Sequence, residues 1–461
     1  MTIPDASSPD LQAMRHFYAC GATRSFAFRK RQLLLLREAL LKYDSRINDA
    51  LFADLKKSPE EAYATETGMV LTEIRVALKN LHRWMKPAGA RTNLLNLPSS
   101  AKIYRDPLGV VLIIAPWNYP LQLLLVPLVG AIAGGNCVVL KPSEMAPAIA
   151  AVLDTIIRET FSPDYVRLIQ GEGAEVVPAL MGSIRFDHIF YTGSAAVGRV
   201  VYQLAAKDLV PVTLELGGKS PAVVESDADL SSTVRRIALG KFTNAGQTCV
   251  APDYVLVHAS VKERFMEKLK ETIREFFGET ALESYSYGRI INEKRFDKLA
   301  GYLKEGRIFI GGDCRRSELF IAPTVMEDVP LQSALMTEEI FGPILPVYSF
   351  GSTEEALEII RRNADPLAFY VFTSDARKER KWMESLAFGG GCVNNTLWHV
   401  ANHHLPFGGI GGSGIGAYHG RHSFDTFTHS KPVMRTPTWF DPGIKYPPFK
   451  GKIKWFRLFM R

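Results

Sequence analysis

The chain has 461 residues, of which 47% are hydrophobic and 22% are charged, a balance typical of a soluble globular protein with two or three domains. The formal charge of +7 falls to +1 without the six basic residues that follow Asp441, which argues against a nucleic-acid partner. The five cysteines are scattered and form no Cys-x-x-Cys pair, which argues against a disulfide framework and a metal site. Residues 1–14 are polar, which argues against secretion. A cytoplasmic protein is therefore expected.

The N-terminal part of the chain is predicted to be helical. Leu33–Leu41 and Ile47–Leu55 are apolar segments with interleaved charged residues. Ser58-Pro59-Glu60-Glu61 combines a cap, a first-turn proline and a glutamate three residues after the serine, which predicts a helix running to about Trp84. Residues 91–106 break this pattern and predict a protruding hairpin.

A long uncharged stretch follows. Val110 to Leu140 contains 31 residues without one charge, but its prolines and Gly134-Gly135-Asn136 favour strand, helix and strand over a membrane span. The alternation continues, and the predicted strands are Val110–Ala115, Cys137–Leu140, Val166–Ile169, Ile189–Thr192 and Val212–Leu216. Strands separated by helices of this length predict an α/β fold with a doubly wound parallel sheet, which binds ligands beyond the carboxyl ends of its strands.

A second α/β segment is predicted from Ser220 onward. Its predicted helices cover 230–243, 261–277, 353–363 and 375–386, and its predicted strands cover 254–258, 344–348 and 369–373. A glycine-rich loop, Leu405 to Gly416, follows them.

Cys249 is the first candidate for chemistry. It lies on a tight connection between the helical pattern that ends at Phe242 and the strand that begins at Tyr254, among small uncharged neighbours that would let a substrate carbon approach. Taken alone, a cysteine in this setting is more often buried packing than a nucleophile.

Three further motifs follow predicted strands, and each has an ordinary structural alternative. The turn Tyr191–Gly198 could present backbone amides and Ser194 to a phosphate, although it is neither a Gly-x-Gly-x-x-Gly fingerprint nor a P-loop. Lys141-Pro-Ser-Glu144 offers a cation and a carboxylate suited to ribose hydroxyls. Glu215 lies between two leucines, where burial would raise its pKa and suit a general base.

Seven motifs occur in the order that is typical of one known family. They are Pro116-Trp-Asn-Tyr-Pro120, Lys141-Pro-Ser-Glu144, the Gly193–Gly198 turn, Glu215-Leu-Gly-Gly-Lys219, Gly246-Gln-Thr-Cys249, Glu339-Ile-Phe-Gly-Pro343 and Pro406-Phe-Gly-Gly409. Over about residues 10–435 the sequence resembles the aldehyde dehydrogenase superfamily. Asn244–Tyr254 and Ala417–Phe427 resemble class 3, the fatty and aromatic aldehyde dehydrogenases.

The resemblance implies an NAD(P)-binding domain, a second α/β catalytic domain and a small β oligomerisation extension, usually in a homodimer. We assign residues 1–86 and 107–216 to the first domain, 217–420 to the second, 87–106 and 421–440 to the extension, and 441–461 to a basic aromatic tail.

The resemblance also implies a mechanism and a cofactor, NAD or NADP. Cys249 would attack the aldehyde as a thiolate, the Asn118 amide and the Cys249 backbone N–H would hold the oxyanion, and Glu215 would activate the water that releases the acid. The residues expected at the cofactor are Lys141 and Glu339 at the riboses, Glu144 at the adenine ribose, Ser194 with Gly193 and Gly198 at the pyrophosphate, and Phe341 near the nicotinamide. Glu144 should favour a free 2′-hydroxyl, but class 3 enzymes often accept either cofactor.

Two other functions compete with an aldehyde-oxidising enzyme. The tail, with Lys452-Ile-Lys-Trp-Phe-Arg-Leu-Phe-Met-Arg461, suits peripheral contact of residues 443–461 with a membrane surface, and the alternative is docking on a partner subunit or over the substrate mouth. A CoA-acylating dehydrogenase would keep the cysteine but would not need a base such as Glu215. Leu239 and Thr243 replace the larger side chains common in class 3, which affects the expected preference for medium-chain, long-chain or aromatic aldehydes.

Overall fold

The computed structural model describes residues 9–460, whose secondary structure forms a helical N-terminal segment, two large sheets and a small antiparallel sheet. The N-terminal helices are Pro9–Ala19, Phe26–Lys42, Asp44–Leu55, Pro59–Ala62 and Gly68–Met85. Ser58 caps its helix as predicted, accepting a hydrogen bond from the Glu61 N–H at 3.3 Å. The predicted continuous helix is interrupted by a π-helical turn at Tyr63–Thr67, and the Glu61 carboxylate bonds Asn244 instead of closing a capping box.

The first large sheet contains the five predicted parallel strands. In spatial order its strands are Gly414–Ile415, Val212–Glu215, His188–Thr192, Val110–Ile114, Cys137–Lys141 and Val166–Leu168. They are joined by the helices Gln122–Gly134, Pro147–Thr160, Gly173–Ser183 and Ala195–Ala206. The strand Val110–Ile114 is buried at every position because helices cover both faces of the sheet.

Two features of this sheet go beyond the five strands that the sequence predicted. The antiparallel strand Gly414–Ile415, from the predicted glycine-rich loop, adds an edge by pairing with Leu214 and Glu215. The chain runs outward from Val110–Ile114 to Val166–Leu168 and then returns to His188–Thr192 on the other side. The carboxyl ends of Val110–Ile114 and His188–Thr192 therefore form the switch point where such sheets bind ligands.

The second large sheet is built from the segment after Ser220. In spatial order its strands are Arg307–Ile310, Thr324–Glu327, Ile344–Phe350, Tyr254–His258, Pro221–Val224, Ala368–Phe372 and Gly390–Val393, and only the first pairing among them is antiparallel. Its helices are Leu230–Phe242, Lys262–Phe277, Glu293–Tyr302, Ala334–Thr337, Thr353–Arg361, Ala376–Ser385 and Trp398–Ala401, and a two-stranded ribbon joins Cys314–Arg315 to Phe320–Ile321. The α/β fold class is confirmed.

The hairpin predicted at 91–106 lies in the small antiparallel sheet. Ala88–Ala90 pairs with Ser100–Pro107, which pairs in turn with the strand Thr428–Arg435. The last helices are Arg421–Thr426 and Ile453–Phe459. The domain boundaries drawn from the sequence stay a prediction. Among the described residues, no helix has the length and apolar composition needed to cross a bilayer.

Candidate active site

Cys249 is presented by a turn with unusual backbone geometry. Three consecutive residues, Asn244, Ala245 and Gly246, have positive φ angles of 54°, 50° and 73°. A β-carbon on Gly246 would lie 2.3 Å from the carbonyl oxygen of Gly342, so this position excludes a side chain. Left-handed residues other than glycine are strained, and such strain persists where neighbouring structure holds it. The helix Leu230–Phe242 therefore ends in a rigid turn that leads to the cysteine.

The side-chain amide of Asn118 lies next to this turn. Its Nδ2 donates a hydrogen bond to the Gln247 carbonyl at 3.0 Å, and its Oδ1 is buried without a partner. The Tyr119 hydroxyl and the Thr248 hydroxyl are 2.6 Å apart, which ties the same loop to the residue before Cys249. An amide nitrogen carries two hydrogens, so Asn118 keeps one for a further acceptor.

Glu215 ends the strand Val212–Glu215 and is fully enclosed. Neither of its carboxylate oxygens has a hydrogen-bond partner. Burial therefore raises the pKa of Glu215 well above its usual value, because the charged form loses its hydration. A carboxylate held this way is a strong proton acceptor whenever it is charged.

The electrostatics of Cys249 link it to two carboxylates. Burial raises the pKa of its thiol to about 12, the negative charges of Glu339 and Glu215 add to the rise, and the backbone N–H groups of Cys249 and Val250 oppose it. Cys249 is accordingly a protonated thiol at neutral pH in this structure. A base must take its proton before the sulfur can attack as a thiolate.

Cys249 and Glu215 face the same apolar cavity. Its volume is about 380 Å³, and the two sequence-predicted channel residues, Leu239 and Thr243, also line it. Its other apolar walls include Met69, Leu123, Leu397, Trp398, Phe407 and Tyr418. These positions come from distant parts of the chain, and sequence reasoning did not place any of them at the cavity. Phe407 and Tyr418 lie inside motifs that carry the family resemblance, whereas nothing local marks the other four. Tyr119 and Thr248 are also in the lining and could have been found, since each belongs to a quoted motif and is next to a predicted catalytic residue.

The residues predicted at the adenosine end of the cofactor lie at or just after the carboxyl ends of strands in the first sheet. The buried Lys141 ammonium donates to the Glu144 carboxylate at 2.9 Å and to the Pro142 carbonyl at 2.7 Å. Ser194 caps the helix Ala195–Ala206, accepting from the Val197 N–H at 3.4 Å. A β-carbon on Gly198 would lie 2.7 Å from the Leu216 side chain, so glycine permits the close approach of helix and sheet.

Glu339, predicted at a ribose, and Phe341, predicted near the nicotinamide, come from one motif, and the charge of Glu339 acts on the Cys249 thiol. A β-carbon on Gly217 would lie 2.0 Å from Glu339 Oε2, so this carboxylate packs directly over the turn that follows Glu215. Burial raises the pKa of Glu339 to about 8, and its Oε1 has no partner. Phe341 has a φ of 50°, and its ring lies 5.3 Å from that of Trp117, beside Asn118.

The structure therefore brings the predicted site residues into two connected groups. Cys249 and Glu215 line the cavity. Asn118 bonds the Gln247 carbonyl beside Cys249, the charge of Glu339 acts on the Cys249 thiol, and Phe341 packs against Trp117. Lys141, Glu144, Gly193, Ser194 and Gly198 follow strands of the first sheet, and the Gly193 N–H joins the groups by donating to the Glu215 carbonyl at 3.0 Å.

Comparison with known proteins identifies the class to which this fold and site belong. The model of the aldehyde dehydrogenase family matches residues 12–433, so the chain belongs to the aldehyde dehydrogenase family. It is an enzyme that oxidises aldehydes to carboxylic acids with NAD or NADP.

Individual relatives cover almost the whole chain. It is 46% identical to the 4,4′-diaponeurosporen-aldehyde dehydrogenase of Staphylococcus aureus (strain NCTC 8325 / PS 47), with 96% of this chain and 97% of the relative covered. It is 43% identical to the dimeric NADP-preferring aldehyde dehydrogenase of Canis lupus familiaris, with 96% and 98% covered. Aldehyde dehydrogenase family 3 member A2 of Macaca fascicularis, 42% identical with 98% and 93% covered, supports the class 3 resemblance.

A solved structure has the same fold. The substrate-bound state of Staphylococcus aureus AldH has a TM-score of 0.96 at 45% identity and matches all of both chains. The aldehyde dehydrogenase resemblance drawn from the seven motifs is confirmed.

Proposed function

We propose that Cys249 is the nucleophile, Asn118 an oxyanion donor and Glu215 the base of this enzyme. The observation that carries the proposal is that a thiol and a carboxylate without a hydrogen-bond partner face one apolar cavity. The Asn118 amide, held by the carbonyl two residues before the cysteine, supports the oxyanion role.

The first chemical step requires charge to move from sulfur to oxygen. Cys249 gives its thiol proton to solvent water, its sulfur then bonds the aldehyde carbon, and the π electrons of the carbonyl group move onto the oxygen, which becomes negative. The remaining Asn118 N–H and the Cys249 backbone N–H donate to that oxygen, and each such donor is worth about 3 kcal/mol in related chemistry. When bound, the nicotinamide cofactor accepts the hydride that leaves the substrate carbon, and the acyl group remains on Cys249 as a thioester.

The second step requires water and a base. Glu215 in its charged form takes a proton from water, and the resulting hydroxide attacks the thioester carbon. The bond between that carbon and the Cys249 sulfur then breaks, which releases the carboxylic acid and restores the thiolate. An enzyme that passes the acyl group to CoA would not need this base. The buried carboxylate in the cavity therefore favours hydrolysis over the CoA-acylating alternative.

The residues around the switch point fit a dinucleotide. The unpartnered buried oxygens of Glu339 and of Thr192 can bind hydroxyl or amide groups. Lys141 and Glu144 suit a ribose, Phe341 the nicotinamide end, and the helix capped by Ser194 a pyrophosphate. Glu144 favours NAD, and because a relative is named as NADP-preferring, we propose that both cofactors serve.

The cavity also suggests the kind of aldehyde. Its walls are mainly apolar, and Trp398 and Leu239, which are 61% and 46% exposed, line it where it meets solvent. Apolar walls bind hydrocarbon by removing it from water, so we propose medium-chain, long-chain or aromatic aldehydes as substrates. The name of the staphylococcal relative, which acts on diaponeurosporen-aldehyde, supports this choice.

The decisive test of the nucleophile is Cys249→Ala. We expect complete loss of aldehyde oxidation, because no other group in the cavity can form the thioester. Cofactor affinity, measured by titrating tryptophan fluorescence with NADH, should stay within about twofold of wild type. The substitution Cys392→Ala is the matched control and should retain activity. Wild-type turnover by Cys249→Ala would refute the mechanism.

We further propose that the enzyme is a homodimer through the small antiparallel sheet. The strand Thr428–Arg435 leaves one edge without a neighbour in the described chain, and Val433 and Met434 are exposed on it. An exposed edge strand is a template for pairing with another chain. One relative is named as dimeric.

The C-terminal tail favours an additional role, peripheral contact with anionic membrane. Its short helix Ile453–Phe459 and the following residue expose apolar groups, with Ile453, Leu458 and Met460 at 56%, 60% and 70% exposure. Lys450, Lys452, Lys454 and Arg457 are interleaved with them, whereas Arg461 lies outside the described residues. Basic residues near an anionic surface contribute about 1 kcal/mol each.

Vesicle sedimentation tests this role. The full chain should pellet with vesicles that contain phosphatidylserine at low salt, and less at high salt, because the attraction is screened. Deleting 443–461 should abolish pelleting and leave oxidation of short aldehydes intact. Pure phosphatidylcholine vesicles are the control. Failure of the full chain to pellet at low salt rules out the anchor, and loss of short-aldehyde activity on deletion assigns the tail to the dimer or the substrate mouth.

A further inference from the structure

A buried ion pair lies beneath the loop that carries Asn118. The Lys57 ammonium is 2.6 Å from Glu66 Oε1, and neither side chain has any exposure to solvent. We infer that Lys57 and Glu66 are positioning residues that hold the Asn118 amide where it can donate to the oxyanion. This inference rests on the proposed role of Asn118.

The positive end of the pair fixes the backbone of Asn118. Lys57 Nζ donates to the Asn118 carbonyl oxygen at 2.9 Å and lies 4.1 Å from the centre of the Tyr119 ring. The Asn244 side chain donates to the same carbonyl at 2.9 Å. Asn118 is therefore held through its backbone carbonyl as well as by the bond from its amide to Gln247, and its second amide hydrogen remains for the substrate oxygen.

The negative end fixes the residues that follow. Glu66 Oε2 accepts hydrogen bonds from the backbone N–H groups of Leu121 and Gln122, at 3.1 and 2.9 Å. These groups begin the helix Gln122–Gly134, where a negative charge is also favoured by the helix dipole. Glu66 lies on the π-helical turn Tyr63–Thr67, the irregularity that the sequence did not predict. The ion pair thus clamps the Asn118 loop at two points.

Stability alone does not account for this arrangement. Removing two charges from water is unfavourable, and a protein with well-packed apolar residues in place of a buried ion pair is often at least as stable. The geometric benefit is specific, because a displacement of about 1 Å in a catalytic group can cost about a hundredfold in rate. The pair places an ammonium and a carboxylate on the backbone groups that set the direction of the Asn118 side chain.

A double-mutant cycle tests the inference. Lys57→Met with Glu66→Gln removes both charges together, so no unpaired ion remains buried, and the introduced amide oxygen can still accept one backbone hydrogen bond. We expect kcat/KM for a short aldehyde to fall about tenfold or more in this variant. In a chain that already carries Asn118→Ala, the same two substitutions should change kcat/KM by less than about twofold. If the ion pair acts only through Asn118, its removal has no further effect once the Asn118 amide is gone, so the effects of the substitutions are not additive.

Two controls separate positioning from general destabilisation. Thermal unfolding and NADH binding, measured on each variant, report whether the fold is kept. Lys42→Met removes half of an exposed ion pair with Glu159 and should leave kcat/KM unchanged. Lys57→Arg keeps the charge and a donor, and should recover part of the loss at an unchanged unfolding temperature.

The outcomes are distinguishable. An equal fall in both backgrounds, or no fall in the chain with Asn118, overturns the positioning role and leaves the proposed mechanism standing. If Asn118→Ala itself retains wild-type kcat/KM, the oxyanion role fails, and the inference about Lys57 fails with it.

Discussion

Cys249, Glu215 and Glu339 each hold a proton more tightly than they would in water. Burial is the main cause for all three, and the two carboxylates also act on the thiol. The last proton in such a cluster is the hardest to remove, because each negative charge opposes the next. A site of this kind keeps its thiol neutral until a base is available, which limits side reactions of a free thiolate.

The role of Glu215 can be separated from that of the thiol by time-resolved kinetics. We expect Glu215→Gln to form one equivalent of reduced cofactor in a first turnover and then to stall, because the thioester persists without its base. Steady-state kcat should fall by about a hundredfold or more.

Rapid-mixing absorbance of the reduced cofactor measures both phases. Glu339→Gln serves as the comparison, since we expect it to weaken cofactor binding instead. Equal loss of both phases in Glu215→Gln would assign Glu215 to thiol activation.

At the scale of elements, the helix Leu230–Phe242 and the π-helical turn both line the cavity, through Leu239 and through Ala64 and Thr65. That helix supplies Leu239 to the wall and then leads into the three left-handed residues before Cys249. The same element therefore contributes to the wall of the cavity and leads into the turn that positions Cys249. Substitutions on its cavity face should alter substrate size selection before they alter the chemistry.

Leu239→Trp is expected to narrow the channel. KM for a long-chain aldehyde such as dodecanal should rise about tenfold, while kcat and KM for propanal stay within about twofold. The larger side chain fills space that a long hydrocarbon chain needs, and it does not contact the groups that react with the aldehyde. Ser231→Trp adds the same ring to an exposed position of the same helix and is the matched control. A parallel change for both aldehydes would show that the helix end had moved, and would contradict a simple size filter.

At the scale of the whole molecule, the C-terminal segment returns to the first sheet and its helices. The Asn136 side chain donates to the Phe427 carbonyl at 2.8 Å, and a β-carbon on Gly130 would lie 2.7 Å from that of Ser423. Glu73 accepts a hydrogen bond from the Gly420 N–H at 2.7 Å. These contacts join positions that are 291 to 347 residues apart, so they are long-range contacts that form only after distant parts of the chain come together.

Glu73 makes this closure sensitive to pH. Burial raises its pKa to about 7, above the usual 4.5, against the opposing hydrogen bonds of Gly420 and Ser423. The folded chain therefore binds the proton more tightly than the unfolded chain, so stability falls as pH rises from about 4.5 to about 7 and stays reduced above that range.

Replacing Glu73 by Gln removes the charge and keeps an acceptor. We expect Glu73→Gln to raise Tm at pH 8 by about 2–4 °C and to give a much smaller gain at pH 5, measured by scanning calorimetry. Glu159→Gln, at an exposed carboxylate whose pKa is lowered by the Tyr43 hydroxyl, should not raise Tm at pH 8. The same gain at both pH values would contradict the assignment to Glu73.

The sequence by itself determined the elements whose signals are local. The uncharged run from Val110 to Leu140, interrupted by proline and glycine, predicted the strands Val110–Ile114 and Cys137–Lys141, because a strand covered on both faces is apolar. The alternation of strand and helix patterns that continues along the chain predicted the next three strands. Ser58 predicted a helix start, since a cap acts within one turn. The seven motifs predicted the family and named Cys249, Glu215 and Asn118 before any geometry was known.

Only the tertiary structure decided how distant segments meet. The pairing of Gly414–Ile415 with Glu215, the bond from Asn244 to Glu61, the wall of the cavity and the Lys57–Glu66 pair each join residues from separate elements. A hydrophobic period or a turn motif describes neighbours along the chain, whereas these contacts depend on how every packed layer fits the others. For that reason the sequence predicted the candidate catalytic residues, and only the fold showed the contacts that hold the segments carrying them.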